Sequence, residues 1–202
     1  MRTMDMTRRQ NVLDTRVFLL APALMAGYGL VRAAGRAMGD YGPGPWWTAA
    51  HVLFLAGVLA FVPVLLGLRS PDGVRGGRRA GLRMAAGAGV LGAAVVAVQA
   101  VIDLAVGFLA ADDQSMSDMF EKVQDVPGVM PAVYTVLPML FWLGLLALVT
   151  LLAFFRRGAV PGWSPLLVPA GIVMMALSLD LLAPGALCIG LGLFPMRRGL
   201  TG

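Results

Sequence analysis

The side chains able to do chemistry are few. Gln99 and Asp103 are the only polar groups in the apolar run from Met84 to Ala111. Lying four residues apart, they share one face of a helix. An ionisable group inside such a run is costly and is by default a functional-site hypothesis. Asp180 is a second carboxylate, near the end of another apolar stretch, and His51, the sole histidine, lies little more than one turn inside a third. Keeping water away favours the neutral, proton-donating form of a carboxyl group, so Asp103 and Asp180 are the candidate general acids. A histidine suits acid or base work because it ordinarily titrates near neutrality. Each also has a structural role open to it. Asp103 can pair with Arg32 or bond Gln99, His51 can make a fixed hydrogen bond, and Asp180 can be a solvated helix-end residue.

The elements that must position these groups are membrane helices. Of the 202 residues 58% are hydrophobic and only 13% charged, and mean hydropathy is +0.80. A soluble domain of this size needs more polar surface. The net charge of +5 does not point to nucleic acid, because the arginines flank apolar runs as topology signals do. Cys188 is the only cysteine, so no internal disulfide can form. With one histidine as well, the chain lacks the ligands of a zinc or haem centre, and no metal or cofactor is expected.

In chain order, residues 1–16 form a polar flank. Its Thr7-Arg8-Arg9 resembles the start of a twin-arginine export signal, but Asn11, Asp14 and Arg16 interrupt the pattern, and the flank is expected to be retained in the cytoplasm. A single transmembrane domain is expected over residues 17–198, with a tail at 199–202. The first span runs over about 17–35 and a helix-breaking Gly42-Pro43-Gly44-Pro45 loop follows. Trp46 and Trp47 open the second span, to about residue 68, as interfacial anchors. A basic loop over 69–83 precedes the third span. There Ala85, Gly89, Ala93 and Ala97 form a small-residue ladder that admits a neighbouring helix.

Residues 112–129 form an acidic outer loop. Ser115 or Ser117 can cap a short helix in it whose Met116, Phe120 and Val123 share one face, a pattern suited to the membrane surface. The fourth span covers about 131–155 and ends at Arg156-Arg157. The fifth covers about 165–182, a turn is expected at Ala183-Pro184-Gly185, and a short sixth segment over 186–196 precedes Arg197-Arg198. The expected fold is therefore an all-α, polytopic transmembrane helix bundle of about six spans, the sixth short, with both termini cytoplasmic.

All but Arg32, Arg36 and Lys122 of the 16 basic residues then fall on the inner side, which supports this orientation. It also places Tyr28, Arg32, His51, Gln99, Asp103, Tyr134, Thr135 and Asp180 in the outer half of the bundle. Polar groups segregated by depth suggest one shared outer pocket, since buried polar groups must find partners. Pro22, Pro63, Pro138 and Pro169 lie within spans and can help a cavity open.

Such a pocket suits an enzyme acting on a lipophilic substrate. Asp103 or Asp180 would protonate an alkene or epoxide, and aromatic faces of Tyr28, Trp47, Phe54, Phe108, Tyr134 and Trp142 would stabilise the carbocation. Arg32, His51 and Gln99 complete the expected substrate-binding set. In its length, its all-helical character and its intramembrane carboxylates Asp103 and Asp180, the chain resembles the small integral-membrane terpene cyclases of meroterpenoid and indole-sesquiterpenoid pathways. The resemblance is one of architecture, not of motif. The fungal members look to depend on a glutamate in an early span, whereas the only glutamate here is Glu121, in a loop. The resemblance implies metal-independent cyclisation started by a carboxylic acid, classed as isomerase or lyase chemistry.

Two other classes accommodate the same residues. In a proton-coupled carrier Asp103 would be the titrating site, but polar groups confined to one half offer no continuous path. In a non-catalytic membrane subunit or assembly partner, the Ala85–Ala97 ladder would be a docking face. The enzyme is preferred because a subunit does not need its polar groups at one depth. The expected partners are the lipid bilayer and a lipophilic small molecule. The expected location is the cell membrane, multi-pass, of bacterial inner-membrane type.

Overall fold

In the computed structural model, residues 2–39, 42–69, 74–155 and 161–196 are described, with side chains from Arg16 onward. Asp40, Arg156-Arg157, Arg197-Arg198, the side chains of Thr7-Arg8-Arg9 and the tail 199–202 lie outside them. The elements are α1 (Arg2–Ala37), α2 (Pro45–Leu68), α3 (Gly76–Leu109), α4 (Asp113–Gln124), a π-helical turn (Met130–Val136) leading into α5 (Leu137–Phe155), α6 (Ser164–Leu177), a 3-10 turn (Leu179–Leu181) and α7 (Leu182–Leu193). No strand is present among the described residues. Among the described residues, five segments are long and apolar enough to cross a membrane: Arg16–Ala37, Pro45–Leu68, Gly76–Leu109, Met130–Phe155 and Leu179–Met196. The chain is an all-α, multi-helix membrane protein.

Several boundaries differ from the sequence expectation. The basic stretch before the third span is helical from Gly76, so α3 has 34 residues and is about 51 Å long, well beyond a hydrocarbon core of about 30 Å. The turn expected at Ala183-Pro184-Gly185 lies earlier, where the Ser178 hydroxyl accepts from the Asp180 amide at 3.1 Å. Pro184 stands in the first turn of α7, where a missing N–H costs nothing. Counted with its flanking 3-10 turns the last segment, Leu179–Met196, reaches 18 residues, so the apolar segment too short to be counted as a span is α6, with 14. Before α5 the backbone winds as a π-helix. Pro138 has no amide to continue the ladder, and the Thr135 hydroxyl donates to the Met130 carbonyl at 3.0 Å.

Packing runs α6–α7–α1–α2–α3–α5, each helix lying mainly against its neighbours in that row. Lipid replaces water outside, so large apolar side chains such as Leu19, Leu30, Leu59, Leu91, Val98 and Leu143 point outward. The core is filled by Phe18, Phe61, Leu65, Phe141, Leu145 and Leu148, with Phe61 and Phe141 edge to face at 5.3 Å.

The Ala85–Gly89–Ala93 ladder faces inward. A Cβ on Gly144 of α5 would collide with the Gly89 backbone and the Ala85 carbonyl. These small residues therefore set the α3–α5 distance, and the ladder is consumed inside the chain. Across α6 and α7, the buried Ser164 hydroxyl donates to the Gly192 carbonyl, an interhelical bond of the kind that holds membrane helices together.

Replacing Gly144 with Leu is expected to lower stability by about 1–3 kcal/mol through overpacking. Gly81→Ala, whose new methyl would meet only Leu151 at 3.8 Å, is expected to be neutral or mildly stabilising. Reversible unfolding in mixed micelles checks both, and an unchanged Gly144→Leu protein would contradict the close α3–α5 contact.

Candidate functional site

Two stripes of residues build one end of the bundle. On α1, Tyr28, Arg32 and Arg36 recur every four residues and so stand on one face. On α2, Trp46 and Trp47 are followed one turn later by Ala50 and His51. These side chains, with Gly35 and Gly42, line a partly open cleft of about 40 Å3. Asp103 of α3 lies against its inner wall. Asp103 is 8% exposed and His51 5%, and His51 Nε2 is 3.8 Å from Asp103 Oδ2. The partner of the buried carboxyl is thus His51, and neither Arg32 nor Gln99 is bonded to it among the described residues.

The geometry fixes the imidazole. Its Nδ1 lies 2.9 Å from the Trp47 carbonyl oxygen. A carbonyl can only accept, so Nδ1 carries the hydrogen. In the neutral ring Nε2 is then an unprotonated acceptor turned toward Asp103. At 3.8 Å the two are beyond direct hydrogen-bond distance, so they face one another either as a carboxylic acid and an imidazole or as a carboxylate and an imidazolium. Trp47 stacks on His51 at 4.0 Å and donates from Nε1 to the Asp103 carbonyl at 3.0 Å, tying α2 to α3. Its indole lies where a side chain on Gly107 would be.

Aromatic rings extend from this pair. Tyr28 is edge-on to His51 at 5.7 Å and 4.9 Å from Phe54. Arg32 lies within hydrogen-bonding reach of Tyr28, and its charge also acts on His51. Two buried donors have no partner among the described residues: Arg32 Nε and the Tyr134 hydroxyl. Tyr134 is close enough to Asp103 to feel its charge. Leaving a buried donor unmatched costs about 1–3 kcal/mol, which makes both groups available to an oxygen-bearing ligand or to water.

The structure thus brings Tyr28, Arg32, Trp47, His51, Phe54, Asp103 and Tyr134 together. Gln99 is half-buried one turn from Asp103. Three expected members stand elsewhere. Phe108 is 71% exposed, because five residues beyond Asp103 a helix has turned by about 140°. Trp142 packs on Phe141 at 4.5 Å and joins the core instead. Asp180 is 64% exposed at its side chain and ion-paired with Arg36 at the mouth of the cleft, and neither aspartate is among the residues that line the cleft. The Tyr28–Arg32–Arg36 spacing was the sequence signal for Arg36 and for the cleft wall.

No protein family, curated protein or solved structure matches this chain. Among the described residues, no three His, Cys, Asp or Glu side chains are grouped to hold a metal ion.

α4 packs over this end of the bundle. Its cap is Asp112, and neither Ser115 nor Ser117 takes that position. The Asp112 carboxylate accepts from the Ser115 amide at 2.8 Å and the Ser115 hydroxyl accepts from the Asp112 amide at 3.0 Å, a reciprocal capping box. The apolar face, expected on the membrane surface, is turned onto the bundle instead: Met116 is buried, and Phe120 meets Trp47 at 6.0 Å. The Ser115 amide, then its hydroxyl, hold the Asp112 carboxyl below the ordinary aspartate value of 3.8. A lowered value in the folded state means the cap stabilises α4 above pH 3.8 and is lost as pH falls through the lower folded value. Acid titration of the Ser115 amide resonance is therefore expected to have its midpoint below 3.8, and Asp112→Ala to speed amide exchange over residues 113–116. A midpoint at or above the ordinary value would contradict the cap.

Proposed function

We propose that the protein is a cell-membrane enzyme, of bacterial inner-membrane type with cytoplasmic termini, that performs metal-independent acid–base chemistry on a lipophilic, oxygen-bearing, terpenoid-like substrate. The observation that carries the reading is the buried Asp103–His51 pair, 3.8 Å apart, beside the unmatched donors of Arg32 and Tyr134. A structural ion pair has no need of spare donors around it, whereas a substrate oxygen does.

On an epoxide-bearing prenyl chain the Asp103 carboxyl gives its proton to the epoxide oxygen. The C–O bond breaks, its electron pair stays on oxygen as a hydroxyl group, and a carbocation forms on carbon. The faces of Trp47, Tyr28 and Phe54 stabilise it by cation–π attraction. An alkene of the same chain attacks the cation. A neighbouring carbon then loses a proton to His51 Nε2, which returns it to the Asp103 carboxylate. Substrate and product are isomers, and the enzyme ends as it began. Arg32 Nε and the Tyr134 hydroxyl hold the oxygen, and Trp47 couples the acid pair to Phe120 of α4, which can act as a lid.

A non-catalytic membrane subunit is the second reading, and the cleft volume favours it. About 40 Å3 admits water-sized groups, while pockets for drug-sized ligands begin near about 300 Å3. Catalysis on a prenyl chain thus requires the cleft to widen, with α4 as the element able to move. Against the subunit, the small-residue ladder offered as its docking face is occupied by α5.

Incubating the purified, reconstituted protein with epoxy-prenyl and polyprenyl substrates decides between them. Cyclised isomers are expected from the wild type, with Asp103→Asn and His51→Gln each slowing turnover by about 10²–10⁴-fold and Asp180→Asn close to wild type. Turnover undiminished in Asp103→Asn overturns the acid assignment, and no turnover of any substrate by a folded wild type favours the subunit.

A further inference from the structure

A second groove lies at the opposite, arginine-rich end of the bundle, between the last turn of α2 and the early turns of α3. It has a volume of about 430 Å3 and is lined by Leu66, Arg69, Arg83, Ala86, Gly87 and Val90. The two helices are antiparallel neighbours there, so Arg69 and Arg83 stand together at one level. Both are exposed, and neither has an ion pair or hydrogen bond among the described residues. Below them the lining is apolar. On α3 the positions 83, 86, 87 and 90 follow one helix face, and on α2 Leu66 lies one turn from Arg69. The groove therefore has two guanidinium groups at its lip and a hydrocarbon trough of about 10 Å beneath, since α3 rises about 1.5 Å per residue. Gly87 keeps the trough open: a Cβ there would meet nothing within 4 Å.

Each feature matches one class of occupant. Arginine forks bind phosphate oxygens bidentately, and basic pockets between transmembrane helices take anionic head groups. A soluble phosphate ion would use the lip and leave the apolar trough empty. A zwitterionic lipid would bring its own ammonium beside two guanidinium groups that have no partner among the described residues. We propose that this groove is a binding site for an anionic phospholipid, its phosphate held between Arg69 and Arg83 and one acyl chain lying over Ala86, Gly87 and Val90. The bound lipid neutralises two adjacent positive charges and fills the surface between α2 and α3. Because α2 and α3 carry His51 and Asp103 at their other ends, the lipid also steadies the helix pair that holds them. The site stands independently of any catalytic role for that pair.

The test is a titration of the purified full-length chain in detergent, followed by native mass spectrometry. Its three probes are phosphatidylglycerol, phosphatidylcholine of the same acyl chains, and inorganic phosphate. The expected result is retention of phosphatidylglycerol in preference to both others. Arg69→Gln with Arg83→Gln is expected to weaken it at least about tenfold, given about one kcal/mol per basic residue near an anionic head group. Gly87→Phe fills the trough from an exposed position and leaves both charges in place, and is expected to weaken phosphatidylglycerol severalfold. Equal retention of phosphatidylcholine, retention of phosphate as strong as that of lipid, or phosphatidylglycerol binding unchanged in either variant overturns the proposal. Gly87→Phe decides alone should the double arginine variant not fold.

Discussion

A carboxyl group placed in the wall of an apolar helix must be given a partner, and in this protein that partner is a histidine from the adjacent helix. The cost of an unmatched charge in hydrocarbon is several kcal/mol, so Asp103 constrains where α2 can lie against α3. His51 meets it at 3.8 Å, and Trp47 holds both residues, its carbonyl fixing the imidazole and its indole reaching the Asp103 backbone. The three residues come from two helices joined by a basic connection, so a small rotation of either would separate them. The rest of this end of the bundle is arranged around the contact. Tyr28 and Arg32 of α1 close one side, and Phe120 of α4 presses on Trp47.

The alignment is supported from a distance by backbone proximity. A Cβ on Gly144 would collide with the Gly89 backbone and one on Gly92 with the Phe141 backbone, so α3 and α5 approach closely enough that neither glycine could carry a side chain without displacement. Leu65 fills the space next to Gly89 from α2. The α6–α7 pair is held by another device, a serine hydroxyl on a facing carbonyl. With no water to drive helices together, both are means of association expected inside a bilayer. The protein thus has a polar, ring-lined end, a tightly packed waist and an arginine-lined groove at the opposite end.

Most of the architecture was legible in the sequence, and the reasons are particular. The spans were read from apolar runs of sufficient length, the second boundary from Trp46 and Trp47, and the apolar face of α4 from the spacing of Met116, Phe120 and Val123, though that face was expected against the membrane surface and not against the bundle. Proline was the weaker guide. Pro184 looked like a turn and sits instead in a first helical turn, while Pro138 follows an unforeseen π-helical stretch. Among site residues, hydropathy marked Asp103, His51 and Arg32 as costly, but not which of them would pair, because pairing depends on helix neighbours that a single sequence leaves open. Phe108 was misplaced for a reason that helical phase alone contains, since it stands well round the helix from Asp103. The contact of Arg36 with Asp180 joins residues 144 positions apart, and no local pattern encodes it.

If the Asp103–His51 contact organises this end of the molecule, the two side chains must be energetically coupled. A double-mutant cycle with His51→Ala, Asp103→Ala and the combined variant, unfolded reversibly in mixed micelles, measures that coupling directly. The account predicts that the double variant loses less stability than the sum of the single losses, with an interaction energy of about 0.5–3 kcal/mol. Losses that simply add would mean that the two residues do not sense one another, and would contradict the pairing on which the site is built.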